Sequence, residues 1–140
     1  MLEHFELDER LQQDCIFICD LPLSSLLLSK DANYPWFILV PRVANATEYL
    51  DLMPEQIRQF WMESEWLSEM IMSLFSPDKL NIAALGNVVE QLHVHHIGRF
   101  HHDIAWPNPV WGFAPAKPYA DDHIQALKHR LEDYIESNPL

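Results

Sequence analysis

Positive charge is what this sequence has least of: nine lysines and arginines stand against twenty-one aspartates and glutamates, a formal net charge of −12 over 140 residues. That balance excludes a general nucleic-acid or anionic-membrane surface, which needs a basic patch. It leaves a small phosphorylated ligand open, because backbone amides and a few local donors are enough to cradle a phosphate. Cysteine is nearly absent. Cys15 and Cys19 are the only two. On a strand they would share a face at roughly 13 Å, beyond disulfide reach. They read as small apolar residues in a reducing cytoplasm. Long apolar runs are missing as well: Leu26-Leu27-Leu28 and Phe37-Ile38-Leu39-Val40 fall far short of the ~20 residues of a membrane-spanning helix. The opening MLEHFELDER is acidic and lacks the basic-then-apolar order of a signal peptide. No repeat, low-complexity tract or Gly/Ser linker divides the chain. Its length and 49% hydrophobic content suit a single domain with one core.

What is present reads as strands around one long helix. Residues 14–29 suggest two short strands about Asp20-Leu21-Pro22, followed by a turn at Asp31-Ala32-Asn33-Tyr34-Pro35, where Asn, Asp and Pro suit turn geometry. Trp36 to Val43 is an apolar run of strand length. Pro54 opens the clearest helix, since a proline at the first helical position forfeits no bond. Ile57, Phe60, Trp61, Leu67, Ile71, Leu74 and Phe75 make its apolar stripe before Ser76-Pro77-Asp78 stops it. Two further strands are expected over Lys79–Leu85 and Gln91–Phe100, joined by a turn at Gly86-Asn87, then an irregular proline-rich arm over Ala105–Pro118. A last helix of about Asp122–Glu136 carries Ile124, Leu127, Leu131 and Ile135 on its apolar face. This order predicts an α+β domain: an antiparallel sheet, one long central helix and a C-terminal helix.

The stretch QLHVHHIGRF, Gln91 to Phe100, concentrates three of the eight histidines. Alternation along a strand puts Gln91, His93, His95, Ile97 and Arg99 on one face. Leu92, Val94, His96, Gly98 and Phe100 share the other, which suits packing on a helix. Two imidazoles in a row on the first face admit three readings. They are metal ligands, with His101, His102 or Asp103 folded back as a third. They are a nucleophile and its neighbour acting on phosphorus, one ring nitrogen free and the other held by an acceptor. Or they are solvated surface residues. Upstream, Asn81, Gly86 and Asn87 offer uncharged amides and a backbone N–H for phosphate oxygens, which favours the second reading.

With those residues in view, LNIAALGNVVEQLHVHHIGR, Leu80 to Arg99, resembles the signature of the histidine triad family of nucleotide hydrolases and transferases, of the diadenosine tetraphosphate hydrolase-like kind. PWFILVPR, Pro35 to Arg42, and the helix from Pro54 to Phe75 are similar in order and length to the family's elements. The resemblance implies a single HIT-like domain over 1–140, with a core of about 14–112 and a C-terminal helix of about 121–137. It implies that His93 is the nucleophile, that His95 bonds the phosphate or leaving group, and that Gln91 stands where the family has its first histidine. Gln91 would hold the nucleophile through its main-chain carbonyl. Asn87 and Gly86 would contact phosphate, Asn81 would match a more distant amide, and Ser29 or Asp31 would meet the ribose. His96, replacing an apolar residue, is expected to be structural. In the arm AWPNPVWG, similar to an element some members place near a partner subunit's site, Trp106 and Trp111 are expected in core or dimer packing. The implied activity cleaves the α-phosphate bond of dinucleoside polyphosphates or nucleoside phosphoramidates through a nucleotidyl-histidine. No cofactor is required, although Mg²⁺ can accompany the substrate, and the implied assembly is a cytoplasmic homodimer. The rivals are a non-catalytic nucleotide-binding protein on the same fold and a metal-dependent hydrolase with His93 and His95 as ligands.

Overall fold

The computed structural model describes residues 4–140. The first three residues of the domain expected over 1–140 lie outside the described residues. The elements run α1 (Glu9–Asp14), β1 (Cys15–Asp20), β2 (Ser24–Ser29), β3 (Trp36–Pro41), α2 (Pro54–Phe75), β4 (Lys79–Ala83), β5 (Val94–Arg99) and α3 (Asp121–Ser137), with a 3-10 turn at Tyr49–Asp51. Five strands form one sheet in the order β1-β2-β3-β5-β4, every neighbouring pair antiparallel. The α+β architecture expected from the sequence is therefore the one observed. Helix α1 is an addition to the expected elements, six residues long, its signal being Asp8, whose carboxylate accepts from the Arg10 amide at 2.8 Å. The histidine strand is shorter than expected, starting at Val94 rather than Gln91.

One face of the sheet carries the main core. Leu26, Leu28, Phe37, Leu39 and Val94 pack there against Phe60, Leu67, Met70 and Ile71 of α2 and Leu127 and Leu131 of α3. Helix α2 starts where Met53 donates its amide to Gln56 Oε1 at 2.8 Å, and ends at Ser76, whose φ of 50° turns the chain left-handed. Two polar contacts cross this interface. Glu63, fully buried on α2, accepts from the amides of Leu23 at 2.7 Å and Ser24 at 2.9 Å. His96 meets Ser64 at 2.7 Å through Nε2. Gly98 lets β5 approach the end of α2: a Cβ there would stand 2.8 Å from Pro35 Cγ and 3.3 Å from Ile71 Cγ2.

The opposite face is smaller and holds Leu11, Cys15, Leu27, Ile38 and Val40. Here one expectation is corrected. Cys15 pairs with Ser29 and Phe17 with Leu27, but Cys19 then pairs with Leu26, so the register shifts between Phe17 and Cys19. This bulge spends one residue and reverses the alternation. Cys15 consequently faces the smaller cluster while Cys19 packs against the main core, on opposite faces rather than one. Both thiols are free, and burial pushes that of Cys15 up to about 12.

Candidate active site

Beyond the smaller cluster lies a cavity of about 540 Å³ whose lining includes His93, His95, Gly86, Asn87, Trp36 and Trp111. Strand β5 delivers His95 opposite Ile38 of β3 and Ala83 of β4, and His93 precedes it on the same face. The two rings meet edge to face with centroids 4.9 Å apart. Both side chains are mostly buried, at 7% exposure each, so protein partners rather than bulk water fix their protons.

Those partners assign the tautomers. His93 Nδ1 lies 2.7 Å from the main-chain carbonyl of Gln91. A carbonyl only accepts, so Nδ1 carries a proton, and in the neutral ring the lone pair is on Nε2. His95 is wired the opposite way. The Trp36 indole N–H donates to His95 Nδ1 at 3.0 Å, and indole only donates, so the proton of His95 resides on Nε2. Burial, reinforced by His93 and then His96, pushes the His95 ring down to about 3. The pair thus offers one imidazole as a lone-pair donor and its neighbour as a neutral N–H donor.

His96 faces away from both. Its Nδ1 donates to the Val94 carbonyl at 3.1 Å, so its Nε2 accepts from the Ser64 hydroxyl. Burial pushes this ring down to about 4, against the raising effect of the Val94 bond.

The other residues singled out in the sequence divide. Gly86, with φ of +72°, and Asn87 line the cavity beside the histidines. Asp31 and Ser29 line it too, but one Asp31 oxygen is engaged by the amides of Asn33 at 3.0 Å and Lys117 at 3.1 Å. Asn81 does not line it. Its Oδ1 accepts from Arg99 Nη1 at 2.9 Å, two positions along β4 from the residue opposite His95. Gln91 contributes only its carbonyl to the histidine pair. Its side chain turns away, accepting from the Asp8 amide at 2.9 Å and donating to the Glu6 carbonyl at 2.8 Å.

Arg99 is buried rather than presented to a ligand. Its guanidinium grips Asp103 through two bonds of 2.8 and 3.0 Å and lies 5.6 Å from the ring centres of Tyr34 and Trp106. Asp103 is thereby unavailable as a third metal ligand. His101 stands exposed at the far end of β5, 3.7 Å from Asp78. Among the described residues no three His, Cys, Asp or Glu side chains converge on a metal position. A His93–His95 metal site would also have to strip the proton from His95 Nε2.

Two aromatic residues at the cavity, Trp36 and Trp111, were not among the candidate site residues. Trp36 was legible only as the first residue of an apolar strand. Trp111 stands in the cavity wall of its own chain, 5.0 Å from the His95 ring and 5.8 Å from Trp36, rather than in core or dimer packing alone. The proline-and-tryptophan density of AWPNPVWG was the signal for an ordered arm; its target was not encoded locally.

Comparison with known proteins supplies the last observation. A family model described as the HIT domain matches residues 10–102. A histidine triad protein from Bradyrhizobium japonicum is 45% identical, with 95% of this chain and 99% of that one covered at a TM-score of 0.93. One from Marinobacter aquaeolei is 44% identical, covering 96% and 98% at 0.92. A diadenosine triphosphate hydrolase from Plasmodium falciparum shares the fold at 18% identity, covering 98% and 85% at a TM-score of 0.65. No curated protein matches the chain.

Proposed function

The chain belongs to the HIT-domain family, and from that membership and the wiring of its two cavity histidines we propose a nucleotide hydrolase acting at an α-phosphorus. The observation that carries this reading is the bond from His93 Nδ1 to the Gln91 carbonyl, which frees His93 Nε2 as a nucleophile without any charged partner. In the first step the Nε2 lone pair forms an N–P bond. The bond from phosphorus to the leaving group breaks, and its electron pair departs with that group. In the second, water attacks the same phosphorus, the N–P pair returns to Nε2 and the water's proton passes to solvent, releasing a nucleoside monophosphate. His95 Nε2–H, Asn87 and backbone donors at Gly86 bond the phosphoryl oxygens as charge develops. The first triad position tolerates Gln91 because its contribution is a main-chain atom.

Dinucleoside polyphosphates and nucleoside phosphoramidates share the nucleotidyl group this site would retain. The chemistry uses no resident metal, and Mg²⁺ would accompany a polyphosphate as part of the substrate. A homodimer forms a second part of the reading. Among the described residues edge strand β4 pairs only with β5, and Ile82 within it and Leu85 just past it are 44% and 42% exposed; a second copy adding there would extend the sheet.

The deciding experiment is early acid- or base-quenched incubation with a radiolabelled dinucleoside polyphosphate. The expected adduct is acid-labile and base-stable, and His93→Ala should abolish it. Nucleotide binding without an adduct or turnover would make the protein a binder. Activity lost on chelation and restored by stoichiometric zinc, with no adduct, would reject the mechanism.

A further inference from the structure

The donor facing His95 limits more than its tautomer. An imidazolium carries a proton on both nitrogens. Were His95 protonated, its Nδ1–H would point at the Trp36 indole N–H across 3.0 Å, donor against donor, inside a mostly buried site. The indole cannot reverse its role, because it has no lone pair to offer. Trp111, 5.0 Å from the same ring, packs edge to face against it. His93 supplies no proton either: its Nδ1–H is committed to the Gln91 carbonyl, and its Nε2 is the attacking atom in the reading above.

We propose that Trp36 is a positioning residue that holds His95 as a neutral Nε2–H donor, and that the site is thereby selective for nucleotidyl substrates whose leaving group departs as a stable anion. This inference rests on the hydrolase reading and narrows it. A neutral imidazole that gave up its proton would become an imidazolate, so His95 can bond a phosphoryl oxygen but cannot protonate a departing atom. A phosphate-anhydride leaving group needs no proton. When the P–O bond breaks, the electron pair rests on an oxygen of a phosphate or nucleotide, which is stable as an anion. An amine leaving group is different. Breaking its P–N bond places the pair on nitrogen, which must be protonated as it leaves, and this pair of histidines has no proton to give. General acid assistance is worth about 10²–10⁴-fold where it operates. Its absence should therefore separate the two classes by at least about a hundredfold.

The test compares kcat/KM for diadenosine tetraphosphate and adenosine 5′-phosphoramidate on the intact protein, together with adenosine 5′-aryl phosphates of graded phenol acidity. The expected result is a preference of at least about a hundredfold for the anhydride, with rates rising steeply with leaving-group acidity. Long-range ¹H–¹⁵N spectra of histidine-labelled protein should show His95 with its proton on Nε2 and His93 with its proton on Nδ1. In Trp36→Phe the His95 Nδ1 is free to take a proton beside Nε2–H, so the His95 signal should move towards the doubly protonated form as pH falls, and the acidity dependence should flatten. Replacing the indole N–H by sulfur with benzothienylalanine at position 36 keeps the ring shape and should act alike if Trp36→Phe folds poorly. A phosphoramidate cleaved as fast as the anhydride, or a His95 protonation state unmoved by loss of the indole N–H, would overturn the inference and leave the hydrolase reading standing. A wild-type protein that cleaves neither class would overturn the hydrolase reading, and the leaving-group claim with it.

Discussion

His95 and His96 are adjacent in sequence and both are kept neutral chiefly by burial, one facing an indole donor in the cavity and the other a serine on α2. The consequence is a pH-dependent stability whose sign is fixed. Both folded rings lie below the ordinary histidine value of 6.5, at about 3 and about 4. Above pH ~6.5 neither the folded nor the unfolded ring binds a proton, so the stability due to neutral burial is complete. As pH falls below that point, the unfolded chain takes up protons that the folded rings refuse, and stability declines until the folded rings titrate. Carboxylates stay largely ionised above pH ~5, so the window between about 5 and 7 isolates histidines. The urea midpoint should fall across that window, less steeply in His96→Asn, and a flat midpoint would contradict neutral burial. A second residue-scale prediction concerns Gln91. Gln91→Ala keeps the carbonyl and should cost less than about tenfold in turnover, under ~1.4 kcal/mol of barrier. It should also loosen the segment at Glu6 and Asp8 by about 1 kcal/mol. A turnover loss as deep as that of His93→Ala would place the amide in the chemistry. The site was legible in sequence to the extent that alternation separates His93 and His95 from His96. It was not legible at Asn81, because the bond that holds its side chain to Arg99, outside the cavity, depends on pairing between β4 and β5.

Elements are joined here by a few buried polar contacts. Glu63 places its carboxylate between the amides of Leu23 and Ser24, fixing the β1–β2 turn to the middle of α2. Glu63→Ala would leave those donors unsatisfied, each costing about 1–3 kcal/mol when buried. Chemical denaturation should report a loss of roughly 2–4 kcal/mol with the fold retained. A change below about 0.5 kcal/mol would mean the turn is held by apolar packing alone. Long elements were the readable ones. Helix α2 has an opening proline, a seven-residue apolar stripe and a terminating Ser-Pro, and its observed bounds match the expected Pro54–Phe75. The β1 bulge was not readable, since nothing in CIFICD marks one residue to be skipped. The skip is imposed by pairing with β2.

At the scale of the molecule, the segment from residue 100 to 120 folds back across the sheet to bring Trp111 to the cavity. It is anchored at both ends. Near β5, Asp103 accepts from the amides of Ala105 at 3.1 Å and Trp106 at 2.8 Å, and Arg99 donates to the Asn108 carbonyl at 2.9 Å. Near β2, the Ala32 amide donates to the Lys117 carbonyl at 2.6 Å, Asp31 accepts from the Lys117 amide, and Asn33 donates to the Pro115 carbonyl. Asp31→Ala should therefore expose residues 113–118 to limited proteolysis and reduce turnover about tenfold, while changing global stability by less than ~1 kcal/mol. Unchanged cleavage and turnover would show that the arm holds its place without that carboxylate. The sequence announced an arm through its prolines, yet its landing point depends on residues some eighty positions earlier, which local pattern does not reach.

These anchors share a property with a longer reach than the present chain. Apart from the Asp103 carboxylate, the arm enters them through main-chain atoms, and Trp111 itself lies beyond residue 102, where the family match ends, although it packs on Trp36 and His95 inside that match. Anchors of that kind do not constrain which side chains the arm displays. Over evolutionary time, substitutions at its tip are free to accumulate without unseating it, while the histidine pair beneath stays under the discipline of the sheet. Two relatives with matching cores can thus diverge in what they accept by rewriting a dozen peripheral residues, and likeness measured over the core alone would not register the change.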